Sequence, residues 1–391
     1  MFETIFLKAN KHPFLLRRVT EMPKTLKIIF IAAFFVYSIP QVHGFDWPLP
    51  RCNPEATGAT LELLPDELEI AWEFKAKTQI DSSPLIVGEY TYFADISGVV
   101  YCLATDSGAK KWEYSTKNGF ASGPAIDNDL LVIGDIAGEV YAIDAITGNT
   151  RWTQKIDGEV AASASFFKDR VLIVSQSGFM CALFRHDGSL AWKYETNDQL
   201  QSMPSISMDK TLLGGCDGNF HIVSLLDGLK ISAPIPLGGP TGSTPAVVKN
   251  LAVLPIMDGA VVAIDLRSNS EAWRYVDETQ KQEYRTSAAV KDQVVVVVSQ
   301  NKNVDGIDLR TGKRIWRYSM RKRAGASPVI AGDDIWIGST DGRLLRLSLK
   351  TGVEKWQFEI RGRFTSSPGI GNGRLMIADD KGVVRCFAMK R

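Results

Sequence analysis

From residue 71 to the C-terminus, short apolar runs alternate with breaks rich in Gly, Asp and Thr, and no stretch keeps the period of an amphipathic helix. One stretch shows the grammar. Ser327-Pro328-Val329-Ile330 reads as the start of a strand, and Ala331-Gly332-Asp333-Asp334 as a turn into a second strand at 335–338. Asp341-Gly342 is a hairpin turn, because Gly accepts the positive φ such turns require. A third strand follows at 344–347, and Thr351-Gly352 turns into a fourth that carries Trp356. The pattern predicts four short antiparallel strands per unit.

The unit repeats. Trp72, Trp112, Trp152, Trp192, Trp273, Trp316 and Trp356 are spaced by 40, 40, 40, 81, 43 and 40 residues, and Ser232 stands where the ring missing from the long gap belongs. A second ladder runs Pro84, Pro124, Ala164, Pro204, Pro245, Ala288, Pro328, Pro368, and a third runs Gly98, Gly138, Gly178, Gly218, Gly259, Lys302, Gly342, Gly382. The three ladders share one phase, which predicts eight units rather than several separate domains. Four strands per unit of about 40 residues fit propeller blades. Trp72 and Phe74 look like a fourth strand with no first three before them, and the last unit ends after its third. Strand 71–75 is therefore expected to complete the last blade, so that no sheet edge stays open. The expected fold is all-β, an eight-bladed propeller over 71–391. Its tryptophans fill the gaps between blades, each ring contributing on the order of 3 kcal/mol.

Asp258-Gly259-Ala260-Val261-Val262-Ala263-Ile264-Asp265, and the run from Asp341-Gly342 to Thr351-Gly352 and Trp356, resemble pyrroloquinoline-quinone-type (PQQ-type) propeller repeats. The Gly-His and Trp-Asp pairs of WD repeats are absent. Asp46-Trp47-Pro48, Arg51 and Thr57-Gly58 resemble the leader before many secreted propellers of this superfamily, although Cys52 stands where such leaders carry Gly. The resemblance implies a leader at 45–70 and the propeller fold. It does not imply a quinone, since most members bind none. The dehydrogenases among them carry adjacent cysteines, a calcium site of Glu, Asn and Asp, and a catalytic Asp. This chain has no Cys-Cys pair.

The remaining chemistry is sparse. The five cysteines include no C-x-x-C, and Cys102 and Cys386 hold third-strand positions where other units have Ala142, Ala182 and Ala263, so both read as small core residues; Cys181 and Cys216 also read as strand residues. His186 falls in a hairpin turn and His221 in a third strand, neither beside a nucleophile elbow. Each Asp-Gly turn supplies one carboxylate, whereas calcium needs about six oxygens. No catalytic, cofactor or metal residue is expected; PQQ with calcium belongs only to an enzymatic alternative.

The N-terminus looks like an export signal. An apolar run of 12 residues at 28–39 follows Lys24 and Lys27 and precedes Val42-His43-Gly44. It is short for a membrane span of about 20 residues. We expect a signal peptide over 1–44, with Met22 as an alternative start, cleavage after Gly44, and a protein that is periplasmic or secreted.

Formal net charge is only +1, which excludes a polybasic nucleic-acid binder. Residues 306–391 nevertheless hold 18 Lys and Arg against 8 Asp and Glu, densest at Arg314, Arg317, Arg321, Lys322 and Arg323. In a closed ring this makes a basic sector. The segments before each Ser-x-Pro should form one mouth of the central channel. They bring Arg285, Arg323 and Arg363 toward one side of the rim, with Glu159, Glu283 and Asp81 as candidate counter-charges, and an insertion enlarges Asp277–Glu283 there. The expected function is a non-enzymatic, monomeric binding scaffold of the cell envelope. Its partner is an envelope protein or an anionic ligand, and peripheral outer-membrane association is left open. A quinoprotein-like oxidoreductase and an extracellular sensor module are the alternatives.

Overall fold

The computed structural model describes residues 45–390; the expected signal peptide lies outside the described residues. Eight antiparallel sheets follow one another along the chain, and no helix occurs among the described residues. We number the blades 1 to 8 from residue 85 and letter their strands A to D from the channel outward. Blade 1 is typical, with strands Leu85–Val87, Tyr90–Ala94, Val99–Ala104 and Lys110–Ser115. The inner A strands are short and buried because eight of them converge on the axis.

Blade 8 is composite. Its strands A to C are Gly369–Gly371, Arg374–Ala378 and Val383–Met389, and its strand D is Leu68–Lys75. Trp72 lies opposite Cys386, and the register shifts between Ile70 and Trp72 as it does between Thr150 and Trp152 in blade 2. The expected closure is therefore present, and the closing strand begins three residues earlier than the pattern indicated.

The tryptophans act between blades. Trp72, Trp112, Trp152 and Trp316 donate their indole N–H to the carbonyls of Thr105, Ala145, Arg185 and Leu349 in the next blade, at 2.8–3.0 Å. Each ring lies against a turn Gly of that blade. A Cβ on Gly148 or Gly352 would come within 2.8 or 2.4 Å of Trp112 or Trp316. These turn glycines also take positive φ, 74° at Gly148 and 70° at Gly352. Where Ser232 replaces the ring, the facing turn carries Asn269 at φ 51° instead of Gly. Ring and Gly are thus lost together, as expected if the ring is what forbids a Cβ there.

The leader joins the ring from the inside. Trp47, fully buried, pairs with Ile86 of blade 1 in both directions, at 2.7 and 3.1 Å. The carbonyls of Pro48, Pro54, Glu55, Thr57 and Gly58 then accept from the amides of Ile126, Ile206, Val247, Val290 and Ile330, at 2.8–2.9 Å. These acceptors serve the second residue of the A strands in blades 2, 4, 5, 6 and 7. Ala59–Thr60 continues as a parallel strand beside blade 7. The leader therefore crosses the channel and ties most of the blades to one segment.

Candidate functional site

The two mouths of the channel differ. At the mouth formed by the A–B turns, Asp46 accepts from the Gly88 amide at 2.9 Å, the Phe45 carbonyl from Asn372 at 3.2 Å, and Glu62 from Gly373 at 2.8 Å. This mouth is closed by the leader. Arg51 reaches from the leader into the channel and donates to the carbonyls of Ala288, at 2.7 Å, and Pro328, at 3.0 Å. It is 5% exposed. Burial lowers its guanidinium to about 10, against the opposing field of Cys52. Burial likewise pushes the Cys52 thiol up to about 12. A guanidinium in this position is held by carbonyl dipoles rather than a carboxylate.

The opposite mouth is formed by the D–A segments and the B–C turns. Every D–A segment docks alike, through one carbonyl that accepts from the B–C turn of the blade it feeds. Examples are Gln79 to Ile96, Glu159 to Gln176, Glu283 to Gln300, Arg323 to Thr340 and Arg363 to Asp380, at 2.8–3.0 Å. All six candidate residues thus lie on this one face. Arg285, Arg323 and Arg363 belong to the segments feeding blades 6, 7 and 8, and all three are exposed.

Their contacts are not uniform. Arg285 pairs with Glu283 at 2.5 Å. Arg323 donates to Gln300 at 2.7 Å. The Arg363 guanidinium has no hydrogen-bond partner among the described residues, although its backbone amide donates to Asp380 at 3.0 Å. Asp81 accepts from Gln79 at 2.8 Å rather than from an arginine. Glu159 feeds blade 3, across the ring from Arg323, and contacts none of the three.

The basic run at 314–323 divides. Arg317 turns inward, 2.6 Å from Asp305 and 2.6 Å from Asp277, and Arg314 lies 3.6 Å from Asp277. The hydrogen bonds that Arg317 donates to Asp305 are the main reason its guanidinium is held protonated beyond its ordinary range. Burial alone would raise the Asp277 carboxyl; the hydrogen bonds from Thr279 and Arg317 outweigh it and hold Asp277 well below the usual carboxylate range. This network anchors the inserted loop between blades 5 and 6. Arg346, Arg374 and Arg385 are likewise taken up by Asp334, Asp106 and Asp379. Arg321, Lys322 and Arg323 stay exposed, and Arg361 and Arg363 join them from the next segment. The basic surface is therefore narrower than the charge count implies, and Arg321, Lys322, Arg323, Arg361 and Arg363 form its densest part on the leader-free face.

Other side chains singled out in the sequence are structural. Cys102 and Cys386 are fully buried, and all five cysteines are free. Cys216 sits in a B–C turn rather than a strand, because its strand ends at Gly214. His221 is buried between Asp217, at 3.1 Å from Nε2, and the Tyr194 hydroxyl, at 3.0 Å from Nδ1. What the sequence did not reveal is the closure of one mouth by the leader. Its only signal there was the Trp47, Arg51 and Gly58 spacing.

An eight-bladed ring of such blades, closed by an N-terminal strand, defines the PQQ-like propellers. Within that class, the family model for the outer membrane protein assembly factor BamB matches residues 96–233, 234–345 and 300–390, and the chain belongs to that family. No curated protein matches the chain. Among solved structures, BamB from Moraxella catarrhalis is 22% identical with a TM-score of 0.72, covering 83% of this chain and 98% of that one. Quinohemoprotein alcohol dehydrogenase from Comamonas testosteroni is 12% identical with a TM-score of 0.78, covering 92% of this chain and 83% of that one. At these identities the likeness is one of fold.

Among the described residues no three His, Cys, Asp or Glu side chains converge. Arg51 lies against the A strands of blades 6 and 7, and the buried B–C turn carboxylates already accept hydrogen bonds within the protein. Asp135, for instance, accepts from the amides of Ala137 and Glu139 and from Tyr141.

Proposed function

We propose that this protein is a non-enzymatic binding scaffold of the cell envelope that docks an acidic protein partner on its leader-free face. The observation that carries the reading is the set of exposed arginines at equivalent positions of consecutive segments, Arg323 and Arg363 foremost, with Arg285 beside them. Guanidinium groups fork to carboxylates, and their exposure keeps them accessible. Membership in the BamB family supports the scaffold role. An exported location, cleavage after Gly44 and a monomeric state belong to the same proposal. The test is capture from envelope extract by wild type and by Arg323→Glu with Arg363→Glu. The double variant should lose the captured partner while its melting temperature stays within a degree or two. Undiminished capture would move the functional surface elsewhere. Mass spectrometry of the exported protein should find Phe45 at the mature N-terminus, and an intact 22–44 segment would refute export with cleavage.

A further inference from the structure

The seams between blades share a second rule besides the tryptophan. Two residues after the Trp, strand D presents a large side chain to strand C of the next blade. Phe74 meets Tyr101 with ring centroids 5.5 Å apart, and Tyr114 meets Tyr141 at 5.9 Å, both edge to face. Tyr194 meets His221 at 5.8 Å, and Tyr275 donates to Asp305 at 3.2 Å. Tyr318 and Phe358 pack into the hydrophobic core at the following two seams. At the seam where Ser232 displaces the outer strand, Ile235 packs against the cluster that contains Val262.

The seam between blades 2 and 3 breaks this rule on both sides. Gln154 stands where the ring belongs, and Cys181 stands where Tyr101 and Tyr141 stand in blades 1 and 2. The Gln154 amide folds back to the Lys155 carbonyl at 2.9 Å and leaves the gap. A groove of about 270 Å³ remains, lined by Ile156, Phe179, Cys181, Leu183 and Leu190, with Lys155, Asp157 and Lys193 at its edge. Leu190 is 57% exposed at its outer end. Lys193 holds its ammonium 4.2 Å from the Phe179 ring centroid and pairs with Glu195 at 2.9 Å. The Lys155 ammonium bonds the Ala137 carbonyl and no carboxylate.

We propose that this groove is a recognition pocket for an aromatic side chain on an extended segment of a partner protein, flanked by carboxylates. The other seams show what the site is shaped to hold, because the same position there receives the protein's own ring. The ammonium groups of Lys155 and Lys193 at the edge, against one lining acid, complement a carboxylate beside that ring. The pocket opens along a blade seam and does not depend on the basic face proposed above.

The test uses the full-length protein and three capped peptides: acetyl-Asp-Trp-Asp-amide, acetyl-Asp-Ala-Asp-amide and acetyl-Lys-Trp-Lys-amide. The acidic tryptophan peptide should bind saturably, and the alanine peptide at least about tenfold more weakly, as burial of one ring requires. The lysine peptide should fall between or below them. Gln154→Tyr with Cys181→Tyr rebuilds the pair found between blades 1 and 2 and should abolish binding. As a check independent of that variant's folding, methyl NMR of the wild type should place the peptide-induced shifts at Leu183, Leu190 and Ile156. Equal binding of the tryptophan and alanine peptides, unchanged binding by a folded filled variant, or shifts confined to other residues would overturn the proposal.

Discussion

The two mouths of the channel are built from the same eight blades and have opposite characters. At the A–B mouth the leader satisfies backbone amides around the ring and Arg51 is buried beneath it, so the backbone groups there are largely engaged. At the D–A mouth the backbone is just as regular, with one docking hydrogen bond per segment, yet the side chains project outward and several carry unpaired positive charge. The lesson is that an eight-fold scaffold separates stability from recognition by face. Substitutions at the closed mouth and at the ring-filled seams should therefore act on stability, and those at the open mouth on binding.

The largest effect should come from removing residues 45–75. That deletion opens blade 8 and releases the leader from the inner strands, and loss of cooperative thermal unfolding is expected. A truncated protein melting within a degree or two of wild type would refute this. Next, Trp316→Ala should destabilise by about 3–5 kcal/mol, since the ring fills the gap to blade 7 and donates to Leu349, and denaturant unfolding measures it. Arg51→Met should cost about 2 kcal/mol by leaving the Ala288 and Pro328 carbonyls unpaired in the channel, with partner capture unchanged.

A smaller effect should appear with pH. Asp277 titrates below its unfolded value, so its contribution is present above the unfolded carboxyl range and lost as pH falls. The melting-temperature gap between wild type and Asp277→Asn should be full at neutral pH, start to narrow as pH falls through about 4, and close only in strong acid. A gap that does not narrow at all between about pH 5 and strong acid would place the stabilisation outside the ion pair with Arg317.

Sequence legibility followed repetition. Blade number, the tryptophan positions, the turn glycines and the closing strand were readable because each recurs at one phase. The leader was legible at 45–70 only through its resemblance, and its closure of one mouth was not, because it acts through backbone carbonyls of residues such as Pro54 and Glu55, which carry no sequence signature. Arg317 was read as surface charge because a count has no direction; its acids, Asp277 and Asp305, come from a different segment and from its own blade. Glu159 was grouped with the arginines by its position in the repeat, which fixes the face but not the distance around the ring. The Gln154 exception lies in the strand D column and Cys181 in the strand C column, but their joint consequence needed the seam geometry.

The central claim is that the acidic partner is captured on the leader-free face. It is tested most directly by measuring partner capture across a salt series with two matched charge reversals, Arg323→Glu with Arg363→Glu on that face and Lys168→Glu with Lys249→Glu on the A–B turns. The account predicts that the first pair abolishes capture and the second leaves it intact. Capture by wild type should weaken as salt rises, because exposed charges are screened beyond about 10 Å at 0.1 M. Capture lost with the A–B pair and kept with the D–A pair would contradict it.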